Sequence, residues 1–331
     1  MTNHPIFLAL GTTLHLILFV LITLHCLQRR RNATSSILWI FLAWAFPFFG
    51  ALFYLSFGVD RVADRGFQKF LTEEHLLRTR KGTQTAAPRA YWHNLLPGAP
   101  AQNEFQREFN RALDSLLPDH PALEGNHIVP RITGDGAYPK MLEAIRGAKE
   151  HIHLQSFIIG NDATGHEFMK ALAAKAAEGV EIRLLYDRFG STFAHLCCLF
   201  RKYKKTPNFQ IAGWTQANLL KRQFQINLRN HRKALIIDGT HAFFGGINLQ
   251  RNNTSAHRSG PNRDYHFEVT GPLVQELQYS FLRDWYFITE ENPETLLSGS
   301  HFPYIDPDGD LTARFINSGP STEKDVAIET F

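Results

Sequence analysis

Two charge-free hydrophobic runs near the N-terminus limit what this chain can fold into. They cover residues 5–27 and 37–57 and are separated by three arginines at 29–31. A helix of about 20 apolar residues crosses the roughly 30 Å hydrocarbon layer of a bilayer, so each run is long enough to span a membrane. The sequence therefore predicts a transmembrane hairpin in residues 1–60, with a kink at Pro47 in the second arm.

A cleaved signal peptide is the alternative explanation of the first run. The run lacks a basic segment before it and a small-residue cleavage site after it, and a second hydrophobic run follows at once. The basic residues between 61 and 81 outnumber the arginines at 29–31, which by the positive-inside rule favours a cytoplasmic position for the globular part.

The composition is that of a folded protein with few extreme features. The chain has 331 residues, is 44% hydrophobic and has a formal net charge of +4. This charge is compatible with anionic lipid headgroups but too small to indicate nucleic acid by itself. The three cysteines, Cys26, Cys197 and Cys198, form neither a disulfide framework nor a metal-ligand spacing. We expect no metal and no cofactor.

Helices and strands are predicted to alternate after the hydrophobic runs. Residues 83–103 are rich in Ala, Pro, Gly and Gln and are predicted to form a linker. The predicted elements that follow are helix 104–117, helix 138–149, strand 151–159, helix 165–178 and strand 180–186. This order is typical of an α/β domain, whose ligands bind beyond the carboxyl ends of the strands. Residues 187–191 lie at such an end and are either the rim of a site or a plain glycine turn.

One short motif carries phosphodiester chemistry. His231 and Lys233 are followed after four residues by Asp238, and Asp238 begins an Asp-Gly turn that predicts a hairpin. Because side chains alternate along a strand, His231 and Lys233 should project from one face, about 6 to 7 Å apart, and meet one phosphate. Asp238 has the opposite parity, so we expect it to orient the hairpin through hydrogen bonds.

These residue types suit attack on phosphorus. A neutral imidazole can form a phosphohistidine, while the Lys233 ammonium offsets charge on the non-bridging oxygens and disfavours the imidazolium of His231. Gly245 and Gly246 are expected to let the backbone approach the phosphate, and Asn248 to add a side-chain hydrogen bond.

With these motifs the chain resembles the phospholipase D superfamily and, within it, the bacterial cardiolipin synthases. The matching segments are the paired hydrophobic runs and residues 55–58, 144–149, 151–154, 184–187, 230–233, 245–249, 263–264 and 284–286. The resemblance implies transfer of a phosphatidyl group from one phosphatidylglycerol to the hydroxyl of another in a bacterial inner membrane, with release of glycerol.

The resemblance also implies roles for individual residues. His231, Lys233, Asp238 and Asn248 take the family's active-site roles by position, and Asp264 belongs to a supporting polar segment that includes Arg263 and His266. Gln155 stands where family members often have a carboxylate, which leaves the orientation of His231 open.

Family members build one active site from two lobes, each with one such motif, whereas this sequence contains one. The expected domains are a membrane hairpin at 1–60, a basic segment, linker and helix at 61–125, a phospholipase D-like lobe at 126–300 and the start of a truncated second lobe at 301–331. We expect the monomer to be inactive, with activity requiring a homodimer or a second-lobe partner. A phosphodiester hydrolase and an inactive lipid- or partner-binding remnant are the alternative functions. Nucleic acid is not expected, because it calls for a denser basic groove with stacking aromatic side chains.

Overall fold

The computed structural model describes residues 4–28, 33–55, 69, 71–76, 78–80, 104–116, 120, 122–214 and 229–316. The chain divides into two compact units, Met1–Asp64 and Arg65–Phe331. The predicted linker at 83–103 lies outside the described residues.

The first unit is helical. Helix α1 is His4–Gln28, α2 is Ala33–Ala45 and α3 is Phe49–Phe53. Helix α1 contains a segment, Phe7–Gln28, that is long and apolar enough to cross a membrane. The three helices pack through a small apolar cluster of Ile22, Cys26, Ala43, Ala51 and Tyr54. The predicted transmembrane hairpin in residues 1–60 stays a prediction, because one helix of spanning length is found among the described residues.

The second hydrophobic run is not the continuous helix that the sequence predicted. It breaks between α2 and α3 at Phe46, Pro47 and Phe48, and Phe48 has a φ of 61°. Proline lacks the N–H that a helix requires and clashes with the preceding turn, so the kink expected at Pro47 becomes an interruption. Among the described residues, α1 is the helix that reaches spanning length.

An eight-stranded mixed sheet forms the centre of the second unit. Its strands are β1 (Ala122–Ile132), β2 (His151–Ser156), β3 (Glu181–Asp187), β4 (Phe209–Trp214), β5 (Ala234–Ile237), β6 (His241–Gly245), β7 (Tyr265–Thr270) and β8 (Leu311–Arg314). The spatial order is β4-β3-β2-β5-β6-β7-β1-β8. Strands β2, β3 and β4 run parallel, and the remaining neighbours are antiparallel.

Helices cover both faces of this sheet. They are α4 (Glu104–Leu116), α5 (Thr133–Gly147), α6 (Ala163–Ala177), α7 (Thr192–Leu196), α8 (Leu273–Thr289) and α9 (Pro293–Leu296). Helices α5 and α6 share one apolar cluster with Leu235 and Ile237, whereas α8 shares another with Ile236. This is the side-chain alternation expected of a strand buried on both faces. The predicted α/β lobe after an apolar N-terminal helix is therefore confirmed.

Two differences from the predicted elements have local causes. Helix α5 begins at Thr133 rather than at 138, because tertiary contacts offset the low helix propensity of Gly134 and Gly136: Asp135 accepts a hydrogen bond from the backbone N–H of Ser255. Residues 311–314, expected in a second lobe, form the edge strand β8 of the same sheet and pair with β1. Residues 317–331 lie outside the described part of the chain.

Candidate active site

The predicted motif leads into β5 and lies beside the carboxyl end of β2, where Gln155 pairs with Ala234. Its residues alternate between the two faces of the sheet. Asn230 and Arg232 point toward α8, where the Nδ2 of Asn230 lies 2.9 Å and the NH1 of Arg232 2.5 Å from Oδ2 of Asp284. His231 and Lys233 turn to the other side. Side-chain alternation therefore puts Asn230 and Arg232, which hold the motif in place, on one face of the sheet, and His231 and Lys233, which can react, on the other.

His231 and Lys233 are in direct contact. The Lys233 Nζ lies 3.0 Å from Nδ1 of His231 and donates to the His231 carbonyl oxygen at 2.6 Å. The ring of Phe157 packs against the His231 imidazole with a centroid distance of 4.7 Å. Lys233 is buried while His231 is exposed, so the ammonium is fixed and the imidazole is accessible.

The surroundings favour a neutral imidazole beside an ammonium. Partial burial lowers the pKa of His231 below its usual 6.5, and the Lys233 charge lowers it further, against the opposing effect of Asp187 and Asp264. Burial lowers the pKa of Lys233 to about 8, with Asp264 opposing the shift. Near neutral pH, His231 therefore has a free lone pair and Lys233 keeps most of its charge.

Asp238 has a structural position at the other end of the hairpin. Its carboxylate accepts hydrogen bonds from the backbone N–H groups of Lys149, Glu150 and His151 at 2.8 to 2.9 Å. Asp238 and Gly239 have φ values of 51° and 65°, which fits the predicted Asp-Gly hairpin turn. Asp238 thus fastens the β5–β6 turn to the start of β2, which is the hydrogen-bonding role expected from its parity.

The backbone N–H groups of the two glycines are used inside the protein, and the close approach of their backbone to a phosphate stays a prediction. The Gly245 N–H donates to the carbonyl of Lys233, and the Gly246 N–H to that of Tyr265. The small size of Gly246 serves a neighbouring side chain, because a Cβ on Gly246 would lie 2.2 Å from Oδ1 of Asp264, whereas a Cβ on Gly245 would meet the backbone of Tyr265 and His266. Gly246 therefore makes room for Asp264, which interacts electrostatically with His231 and Lys233.

Asn248 and Gln155 are both engaged with the protein. The Asn248 Oδ1 accepts from the backbone N–H of Ile158 at 3.0 Å, which joins the segment after β6 to the segment after β2. The Gln155 Nε2 donates to Oδ2 of Asp284 at 2.9 Å. His266 is buried near Lys233, and neither of its ring nitrogens has a hydrogen-bond partner among the described residues. Burial lowers its pKa to about 3.

Asp284 is the buried centre of this arrangement, and the sequence analysis assigned it no role. It also lies 3.3 Å from Nζ of Lys69. Lys69, Gln155, Asn230 and Arg232 thus converge on one carboxylate from three parts of the chain. Burial acts to raise the pKa of Asp284, but the cations Arg232, Lys69 and Arg283 hold it far below the usual range. The available signal was an acidic residue in the middle of a strongly apolar helical pattern.

A cavity of about 410 Å³ opens beside the motif. Cationic and amide side chains line one part of it, and Trp214, Phe244, Leu277, Phe281 and Phe315 line the other. Lys69 is among the cationic lining, so this residue belongs to the lobe rather than to a free basic segment at the membrane. Arg80 likewise is buried and pairs with Glu276. Lys69 and Arg80 are both among the basic residues between 61 and 81 whose number favoured a cytoplasmic position for the globular part.

A metal site is not apparent in the described part of the chain, where no group of three or more His, Cys, Asp or Glu side chains could hold an ion.

Comparisons with known proteins agree with this geometry. Residues 141–285 match the family described as "Cardiolipin synthase, PLD-like domain", and residues 17–58 match "Phospholipase D-nuclease N-terminal". The first match includes the whole motif together with Gln155, Asp264 and Asp284. Residues 141–285, which contain the motif, therefore carry a PLD-like domain.

Curated relatives of this phospholipase D-like chain are cardiolipin synthases. Cardiolipin synthase A of Pseudomonas putida strain W619 is 28% identical over 98% of this chain and 65% of its own length. The cardiolipin synthase of Geobacillus kaustophilus is 29% identical over 94% of this chain and 60% of its own length. The chain therefore spans about three fifths of the length of these relatives.

Solved structures with a similar fold are more distant. The phospholipase D family member Nuc from Salmonella typhimurium has a TM-score of 0.36 and 18% identity, covering 49% of this chain and 96% of that one. Phosphatidylserine synthase from Haemophilus influenzae has a TM-score of 0.40 and 14% identity, covering 58% and 47%. At these values the likeness adds nothing to the assignment of this phospholipase D-like lobe.

Proposed function

We propose that this lobe catalyses phosphatidyl transfer from one phosphatidylglycerol to the hydroxyl of another through a phosphohistidine on His231, without a metal. The contact between the Lys233 Nζ and Nδ1 of His231, 3.0 Å, is the observation that carries the proposal. It places a fixed positive charge where phosphate oxygens must lie while an exposed, neutral imidazole attacks phosphorus. The cardiolipin synthases among the relatives support lipid as the substrate class.

The reaction has two displacements. In the first, a ring nitrogen of His231 bonds to phosphorus and the bond to the headgroup glycerol breaks; glycerol leaves after gaining a proton. In the second, the hydroxyl of another phosphatidylglycerol loses its proton, attacks phosphorus and displaces His231, which gives cardiolipin. Lys233 stabilises the charge on the non-bridging oxygens in both steps.

Positioning residues hold this pair in place. Asp284 fixes Asn230 and Arg232, which flank His231, and Asp238 fixes the far end of the same hairpin. The negative charge of Asp264 acts on both His231 and Lys233, where it opposes the lowering of the pKa of each. Asn248 acts by holding the backbone at Ile158.

The proton transfers need a second group on the other side of phosphorus, and general acid-base help is typically worth about 10² to 10⁴ in rate. This sequence contains one His-x-Lys pair. We therefore propose that a second motif, from another lobe or a second copy, completes the site, and that the chain is silent as a monomer.

We further propose that α1 spans a bacterial inner membrane, that the broken arm of α2 and α3 returns across it and that the lobe is cytoplasmic. A broken helix is tolerated in a membrane where other helices cover it, and Ala43, Ala51 and Tyr54 contact α1.

The test uses labelled phosphatidylglycerol with the chain in membranes and, separately, with the chain purified in detergent at a mass fixed by light scattering. Cardiolipin with free glycerol from an assembly supports transfer. Phosphatidic acid as the main product would show that the lobe hydrolyses the phosphodiester and does not transfer the phosphatidyl group. If no assembly forms any product, the function that remains is the binding of lipid or of a partner. Cardiolipin from a monomer would overturn the need for a second motif.

A further inference from the structure

The segment after β3 exposes large apolar side chains although it is folded. Phe189, Phe193 and Leu196 are 62%, 69% and 71% exposed, and Phe193 and Leu196 lie three positions apart on α7. The other side of the segment is anchored in the core through Ala194, Leu199, Phe200 and Tyr203. The exposure is therefore a property of a fixed surface.

The same segment is strongly basic. It contains Arg188, Arg201, Lys202, Lys204 and Lys205, and no acidic residue occurs between 188 and 210. The last four of these cations are exposed. Protruding Phe and Leu beside Lys and Arg, with no opposing charge, is the composition of elements that lie in the interface of an anionic bilayer. We call residues 188–205 the basic-apolar surface.

This surface is fastened to the rim of the site. The Asp187 carboxylate accepts hydrogen bonds from the backbone N–H groups of Phe189 and Gly190 and from that of Asn230, next to His231. The Ser191 hydroxyl donates to the carbonyl of Phe157, whose ring packs on His231. A membrane bound by this surface would consequently lie beside the reacting imidazole.

The side chains favour a bilayer over a nucleic acid. Bases are bound by stacking on free aromatic faces, but the Arg229 guanidinium lies 3.8 Å from the centre of the Phe189 ring. Phe193 is the other exposed aromatic ring of this surface, and its neighbours Leu196, Cys197 and Cys198 offer no stacking face for a second base. The chain also has a helix of membrane-spanning length, so a bilayer is the large anionic surface at hand.

We propose that the basic-apolar surface inserts Phe193 and Leu196 into the headgroup region of an anionic bilayer, while its lysines and arginines bind phospholipid phosphates. The site is thereby held where a lipid headgroup can enter it. This inference deepens the proposed function by naming the surface that meets the lipid, but the binding itself requires no turnover.

The test places a polarity-sensitive fluorophore on Cys197 in the full chain. His231→Ala removes turnover, and Cys26→Ala with Cys198→Ser leaves Cys197 as the single label site. The matched control carries the label at Thr240→Cys with Cys197→Ser; Thr240 is exposed in the β5–β6 turn, at the opposite end of the sheet. Both proteins are reconstituted in vesicles containing phosphatidylglycerol and lipids brominated in the acyl chain.

We expect bromine quenching at Cys197 at least about threefold stronger than at Thr240, weakened by high salt or by zwitterionic lipid alone, because screening weakens charge attraction. Phe193→Ser with Leu196→Ser should abolish the difference, whereas Tyr304→Ser, which removes an aromatic ring that is 55% exposed elsewhere on the lobe, should not. Unchanged thermal unfolding would show that the variants fold.

Equal quenching at both label sites would overturn the proposal, as would a label that responds to single-stranded RNA and not to the bilayer. Because His231 is already replaced, quenching is independent of catalysis. If the wild-type enzyme is active but the basic-apolar surface does not insert, the proposal about this surface fails and the proposed function stands. If the surface inserts but the wild-type chain shows no activity, the proposed function fails and the proposal about the surface stands.

Discussion

Histidines occur at both ends of the sheet in the lobe, but His231 at the site end is exposed, whereas the three histidines at the far end are buried. At the site end, His231 is exposed beside Lys233 and a cavity. At the far end, His151, His153 and His301 are buried against one another, with ring centroids 4.7 to 5.1 Å apart. There the NH1 of Arg183 lies 3.2 Å from Nε2 of both His153 and His301.

The pKa of histidine is lowered at both ends, and burial is the first cause at each. Burial lowers the pKa of His151 to about 4 and that of His153 well below its usual value, and neighbouring His301 adds to both shifts. Hydrogen bonds to Gln278 and Arg183 occupy ring nitrogens of this cluster. The comparison teaches that a lowered histidine pKa marks a reactive group only where the ring is also accessible.

Replacing His231 should have the largest effect and tests the comparison directly. We expect His231→Ala to abolish phosphatidyl transfer in any assembly that shows it, because among the described residues His231 is the exposed imidazole in contact with Lys233. The assay follows cardiolipin formed from labelled phosphatidylglycerol. His166→Ala, an exposed histidine of α6, is the control and should stay within about twofold. Retained activity in His231→Ala would remove His231 from the mechanism.

Lys233→Ala should lower kcat by about 10² to 10³, the usual loss when one group that stabilises developing charge is deleted. Lys140→Ala changes an exposed lysine paired with Glu143 and should leave kcat unaltered. A loss under about threefold would mean that Lys233 does not take part in the chemistry, and the charge beside the exposed His231 would then have no more catalytic importance than that of Arg183 beside the buried histidines.

Asp238→Ala should act on stability. Three backbone N–H groups would lose a charged acceptor, so we expect the free energy of unfolding to fall by on the order of 3 kcal/mol in chemical denaturation. Asp238→Asn keeps an acceptor oxygen and should lose less. If Asp238→Ala abolished activity in a protein of unchanged stability, Asp238 would belong to the chemistry and not to the fastening of the hairpin.

Acid should destabilise the lobe through the buried cluster. The folded pKa of His151 lies below the unfolded value of 6.5, so its contribution to stability is complete above about pH 6.5 and is lost as pH falls toward 4. His151 alone predicts a loss on the order of 3 kcal/mol by pH 4. The fall of the thermal unfolding temperature between about pH 6.5 and 4 should be smaller in His151→Gln, where His153 still contributes, and unchanged in His231→Ala. The reverse result would exchange the roles of the two ends.

A chelator should have no effect on activity, which is the smallest change expected. The described residues contain no cluster of metal-ligating side chains at either end of the sheet. Activity that disappears with chelator and returns with Mg²⁺ or Zn²⁺ would contradict the phosphohistidine mechanism.

The sequence by itself determined the features that depend on neighbours along the chain. Run length and lack of charge predicted α1, and two-residue alternation predicted that His231 and Lys233 share a face while Asn230 and Arg232 take the other. The Asp-Gly pair predicted the turn at Asp238. These signals are local because backbone geometry fixes them within a few residues.

Only the tertiary structure decided which distant groups meet. It brought Lys69, Gln155 and Asn230 to Asp284, assigned residues 311–314 to the lobe's own sheet and placed Asp264 in the space beside Gly246. It also interrupted the second hydrophobic run at Pro47 and buried three histidines away from the site. Contacts between residues far apart in sequence depend on how helices pack on the sheet, and no spacing along the chain encodes that packing.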